Sequence, residues 1–204
     1  MKSPVLLLTA VATIAGGAAA VSAQTTPTFT QADVHFMQGM IGHHAQALAM
    51  VALIPTHTAR SDLHALGERI RVSQQDEIAL MKQWLRDRHQ DIPADMSHMD
   101  ASGHAMHMQG MAMSDSLMPG MLTPQQMTEL ANAKGADFDA LFLKDMIQHH
   151  EGALTMVAKL LGTTGSGQEP EVFRFAAEVD TDQRAEIARM SALLNSLQSG
   201  STSR

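Results

Sequence analysis

The chain has 204 residues, a formal net charge of −7, 17 methionines, and neither cysteine nor tyrosine. The acidic balance, with no basic stripe to neutralise phosphates, argues against nucleic acid as a partner. The missing cysteine excludes a disulfide framework and any thiolate ligand, so soft-metal chemistry must rest on Met thioether and His imidazole.

At the N-terminus Met1-Lys2 precedes an apolar run from Val5 to Val21, and Val21-Ser22-Ala23 follows with small residues before Gln24. This pattern reads as an export signal over residues 1–23, cut after Ala23, giving a periplasmic or otherwise exported protein with no membrane attachment after cleavage. The alternative is an uncleaved anchor, disfavoured because the run is short and rich in Ala and Gly. Residues 24–204 suit a single domain.

Four long stretches then show apolar residues at helical spacing, and none alternates with period two. The first helix opens at Thr30-Gln31-Ala32-Asp33, a capping-box pattern, and stops before Pro55. The second runs from about Ser61 to Arg88 and ends near Pro93. Thr123-Pro124-Gln125-Gln126 starts a preliminary turn of the third, which Gly135 interrupts before its long part restarts near Ala136 and ends by Gly162. Pro170 restarts the chain after Gly165-Ser166-Gly167, and the fourth helix reaches about Leu197. The expected fold is all-α: an antiparallel four-helix bundle of two hairpins, 30–90 and 123–198, joined by a crossover, 91–122.

The hairpins are copies. Asp33 to Ala52, with Phe36, Met40-Ile41, His43-His44 and Met50, returns as Asp139 to Ala158, with Phe142, Met146-Ile147, His149-His150 and Met156. A second match follows each: Gln74, Glu77-Ile78-Ala79 and Met81 recur as Gln183, Glu186-Ile187-Ala188 and Met190. At about 100° per residue, Phe36, Met40, His43, His44 and Ala47 share one helix face, with Met50 at its edge. The same construction holds around Met146, His149, His150 and Met156. If a pseudo-twofold axis relates the hairpins, the two faces converge, with Met81 and Met190 supplied by the second and fourth helices.

A lone buried His with a Glu partner is usually structural, and Met often fills gaps. Two copies with the same Met spacing favour ligation instead. Thioether and imidazole together select soft or borderline ions, and neutral ligands suit a monovalent one. Copper is the expected ion, Cu(I) first, with Ag(I) or Cu(II) as alternatives. Imidazoles of ordinary pKa, about 6.5, would release copper as pH falls from about 7.5 to 5.

The crossover is rich in Gly, Ser, Met and His, and reads as a flexible segment without a core stripe. Met96, His98, Met99, His104, Met106, His107, Met108, Met111 and Met113 stand there in clusters able to give two or three ligands to one ion, although low complexity without function is the alternative. His35, His57, His64 and His89 have no repeat partner and read as surface residues. Glu77 and Glu186 read as carboxylates that orient His, and Asp33 and Asp139 as first-turn residues favoured by the helix dipole. Inward Glu and His also build di-iron bundles, so a ferritin-like metal oxidase or other di-metal enzyme is the runner-up; no Glu-x-x-His motif accompanies either His-His pair.

The stretch from Gly135 through Phe142-Leu143, Met146-Ile147, His149-His150-Glu151-Gly152 to Met156, with Gln183, Glu186 and Met190 downstream, closely resembles the family known as domain of unknown function 305. The resemblance implies a ferritin-like four-helix bundle and exported copper-binding members that support copper resistance, with ligands at Met40, His43, His44, Met146, His149 and His150. The expected function is therefore sequestration or delivery of Cu(I) without catalysis, with a periplasmic copper donor or acceptor as partner. The first copy departs from the second at Ala45-Gln46, where the second has Glu151-Gly152, which predicts half-sites of unequal affinity.

Overall fold

The computed structural model describes residues 28–93 and 117–201. These form six helices and no strand: α1 (Gln31–Val51), α2 (Ile54–His57), α3 (Ser61–Asp87), α4 (Pro124–Asn132), α5 (Gly135–Gly162) and α6 (Pro170–Ser201). Among the described residues no helix is long and apolar enough to cross a membrane.

The helix starts follow the capping chemistry. Thr30 Oγ1 accepts from Asp33 N at 3.2 Å and Asp33 Oδ2 accepts from Thr30 N at 2.7 Å, a reciprocal cap contributing about 1 kcal/mol. The other carboxylate oxygen accepts from Gly167 N at 2.7 Å and ties the start of α1 to the loop between α5 and α6. Pro55 does not merely end α1. It opens α2, where a first-turn proline loses no hydrogen bond.

Three expectations are corrected here. The turn at Thr123 is a separate nine-residue helix with its own capping box, ended before Gly135, whose φ of 55° is readily adopted only by glycine. Because α5 already begins at Gly135, Asp137 takes its first turn and Asp139 lies in the second, buried. His57 is buried rather than superficial: α4 covers it, and its Nε2 donates to the Ala131 carbonyl at 2.9 Å. His35, His64 and His89 are exposed, as expected.

Helix α1 packs along α3, α5 along α6, and α1 against α5. The core divides into two clusters. One joins Val34–Ile41 of α1, Met81–Leu85 of α3, Ala153–Leu160 of α5 and Val172–Val179 of α6. The other joins Ala47–Val51, Leu63–Ile70, Leu130, Phe138–Met146 and Met190. Between them the four long helices place polar side chains inward: His43 and His44, Gln74 and Glu77, His149 and His150, Gln183 and Glu186. An imidazole layer thus crosses the middle of the molecule between two apolar ends.

Candidate metal centre

Each hairpin builds the same unit. His44 Nε2 bonds Glu77 Oε2, and His150 Nε2 bonds Glu186 Oε2 at 2.5 Å. A carboxylate accepts, so each Nε2 carries a proton toward its Glu and Nδ1 is the ring nitrogen turned away from it. In an antiparallel pair with His44 opposite Glu77, the residues one turn away, Met40 and Met81, come level with each other. Both are fully buried in the first cluster. Met146 and Met190 stand equivalently beside His150 and Glu186, in the second cluster.

Between these units the two remaining histidines meet. The rings of His43 and His149 lie 3.9 Å apart, tilted by 38°, while each sits more than 6 Å from its neighbouring His44 or His150. His43 Nε2 donates to the Pro119 carbonyl at 3.0 Å. The Nδ1 atoms of His43, His44 and His150 and both ring nitrogens of His149 are buried without a hydrogen-bond partner. Such an atom costs about 1–3 kcal/mol, and five of them stand in this one layer. Burial, then the neighbouring His44, pushes the His43 pKa down to about 3 against the pull of the Pro119 carbonyl. Burial, then His43 and His150, holds His149 well below its ordinary value. Both rings are therefore neutral near pH 7, the form that ligates. Among the described residues no three of His, Asp and Glu form a ready cage, so an ion held here needs thioether as well.

Of the sequence-predicted residues, His43, His44, His149 and His150 come together in the layer. The thioethers divide around it, Met40, Met81 and half-buried Met156 on one side, Met50, Met146 and Met190 on the other. Met96, His98, Met99, His104, Met106, His107, Met108, Met111 and Met113 lie outside the described residues.

The sequence reading missed a strap. The last part of the expected flexible crossover, Met118 to Leu122, is packed across α1 and α5. Gln46 clamps it through both amide atoms, donating to the Leu122 carbonyl at 3.0 Å and accepting from Leu122 N at 2.8 Å. Gly120, with φ 76°, rests on Gly152: a Cβ on Gly152 would stand 2.0 Å from the Pro119 oxygen, and one on Gly120 2.6 Å from Gly152 Cα. Gln46 and Gly152 are equivalent positions of the repeat. Their mismatch, which the sequence suggested was a difference in affinity, gives one side a clamp and the other a recess for the same strap. The signal was that mismatch together with the turn-forming Pro119-Gly120. In an open helix Gly152→Ala would stabilise by about 1 kcal/mol. Here it should destabilise by about 1–3 kcal/mol through overpacking, and a raised denaturant midpoint would show the strap to be unseated in solution.

The fold is similar to solved structures. The DUF305 fragment from Deinococcus radiodurans is 28% identical, with 83% of this chain and 99% of that chain covered and a TM-score of 0.65. A DUF305 protein from Streptomyces coelicolor is 24% identical over 82% of this chain and 92% of its own, also with a TM-score of 0.65. CopM in the Cu(I)-bound form is 25% identical over 80% and 96%, with a TM-score of 0.58, and CopM has been solved in Cu(II)- and Ag-bound forms as well. Curated protein sequences give no match. Residues 33–194, which hold both hairpins and the imidazole layer, match the model of the domain of unknown function DUF305, and the chain belongs to that family.

Proposed function

We propose that this chain is an exported copper-binding protein, a ferritin-like four-helix bundle in residues 24–204 that sequesters or hands on Cu(I) in the periplasm through Met thioether and His imidazole. The observation that carries the reading is the layer of unpartnered imidazole nitrogens between two thioether-bearing clusters. Copper is the cargo. The ligands are neutral, so a monovalent ion leaves no unpaired negative charge buried with it. His43 and His149 supply neutral nitrogen donors, while Glu77, Glu186 and the Pro119 carbonyl fix the orientations of His44, His150 and His43. The similarity to CopM, whose Cu(I), Cu(II) and Ag forms are known, supports the metal.

The test is a Cu(I) titration of the purified full chain against a chromogenic Cu(I) chelator. His43→Ala with His44→Ala, and His149→Ala with His150→Ala, should each lower affinity by about 100-fold. Combined, they should fall short of additivity, because His43 and His149 are in ring contact. Unchanged binding in the quadruple variant would remove the layer as the site. An oxidase would instead show sustained oxygen consumption with Cu(I) or Fe(II), whereas a binder takes up metal to a fixed stoichiometry without it.

A further inference from the structure

Two methionine side chains converge on Gly39. A Cβ on Gly39 would stand 3.3 Å from Met118 Sδ and 3.5 Å from Met156 Cε, and one on Gly42 3.6 Å from Met118 Cε. Met118 therefore lies along a groove that the two glycines leave on α1, its sulfur over Gly39, and Met156 reaches the same spot from α5. The groove belongs to one copy of the repeat only, since the equivalent positions on α5 are Asp145 and Gln148. Met118 and Met156 are both half-buried, unlike Met40, Met81, Met146 and Met190, which are fully enclosed. Both residues are thus partly open to solvent. Met118 is also the residue before Pro119, whose carbonyl holds His43. One dipeptide positions an accessible thioether next to the imidazole layer.

We propose that Met118 and Met156, meeting over Gly39, form an outer site for a monovalent soft ion, Cu(I) or Ag(I), from which the ion passes to the buried histidines. Two thioethers at one accessible point hold such an ion without a charged partner, and weakly enough to release it. Transfer is a ligand exchange: imidazole nitrogen replaces thioether sulfur on the ion, with no change of oxidation state and no proton released from His43 or His149. The inference rests on the chain being a soft-metal binder, but it adds a second location and an order of binding.

The experiment uses the full chain with 13C-labelled Met methyls and labelled His, titrated with Ag(I), which stays monovalent and diamagnetic. Below one equivalent the Met118 and Met156 methyl signals should shift together, no later than the histidine signals. In Met118→Leu, a near-isosteric change that leaves the groove filled, the Met156 response should weaken by about tenfold or more, while the histidines still respond at saturation. Histidine shifts in the unaltered chain with no movement of either methyl would overturn the outer site and leave the buried one standing. Methyl shifts without histidine shifts would keep the outer site but overturn the passage of the ion to the buried histidines. An unaltered Met156 response in Met118→Leu would also overturn the pairing, and the unaltered chain decides the matter if that variant fails to fold.

Discussion

Replacing His149 by Leu is expected to stabilise the metal-free protein by about 1–2 kcal/mol and, in the same molecule, to weaken Cu(I) binding by about 100-fold. Both ring nitrogens of His149 are buried without a hydrogen-bond partner, and its ring stands 3.9 Å from that of His43. Leu fills a similar volume and has nothing to leave unsatisfied. The neighbouring histidine provides the contrast. His150→Leu would strip Glu186, only 4% exposed, of its partner and should destabilise by about 1–3 kcal/mol. Urea denaturation of the two metal-free variants, with Cu(I) competition on each, separates these outcomes. If His149→Leu were as destabilising as His150→Leu, the His149 nitrogens would have partners in solution and the case for a ligating role would fail. Opposite signs would mark His149 as a residue kept for binding at the expense of stability.

The helices were legible because their signals are local. Thr30 with Asp33 and Thr123 with Gln126 predicted caps that form as written. The imidazole layer was legible because the duplication puts His43 and His149 at equivalent places on helices that pack together, so a face read from a wheel becomes a shared interior. Other features depend on what comes to lie against an element, which no local pattern encodes. His57 is buried because α4 folds over it, and Asp139 moves out of the first turn because α5 nucleates on a left-handed Gly135. The strap was hidden for a related reason. Met118-Pro119-Gly120 has no apolar stripe, and it docks through backbone atoms onto a glycine and a glutamine more than 25 residues away in each case.

Acidification should destabilise the metal-free protein without loosening copper at the site proposed on His43 and His149, which reverses the expectation drawn from ordinary imidazoles. The His43 pKa, about 3 when folded, lies below its unfolded value of about 6.5, and His149 is displaced in the same direction. Below pH 6.5 the unfolded chain takes up protons that the folded chain refuses. The stability these groups confer is thus complete above pH 6.5 and is lost as pH falls toward 3. Between pH 7.5 and 5 His43 contributes a loss of about 2 kcal/mol, and His149 adds a loss in the same direction. Asp145 works against them. Burial raises its carboxyl to about 6, so the folded chain gains a proton first and recovers about 1.4 kcal/mol by pH 5. Asp182 is raised as well, again mainly by burial, and acts in that same sense. Because His43 alone outweighs Asp145 and His149 adds to it, the net change should be a loss of stability, read from urea midpoints at the two pH values. Metal affinity follows the folded state alone, because protons compete with an ion only where the folded imidazole would bind them. At pH 5 the folded His43 and His149 remain neutral, so their share of the Cu(I) affinity should change little from its value at pH 7.5. Imidazoles of ordinary pKa would each lose about thirtyfold over that interval. A loss of that size in the folded protein, accompanied by a flat stability profile, would mean that water reaches the layer and that the two rings are not buried as the structure places them.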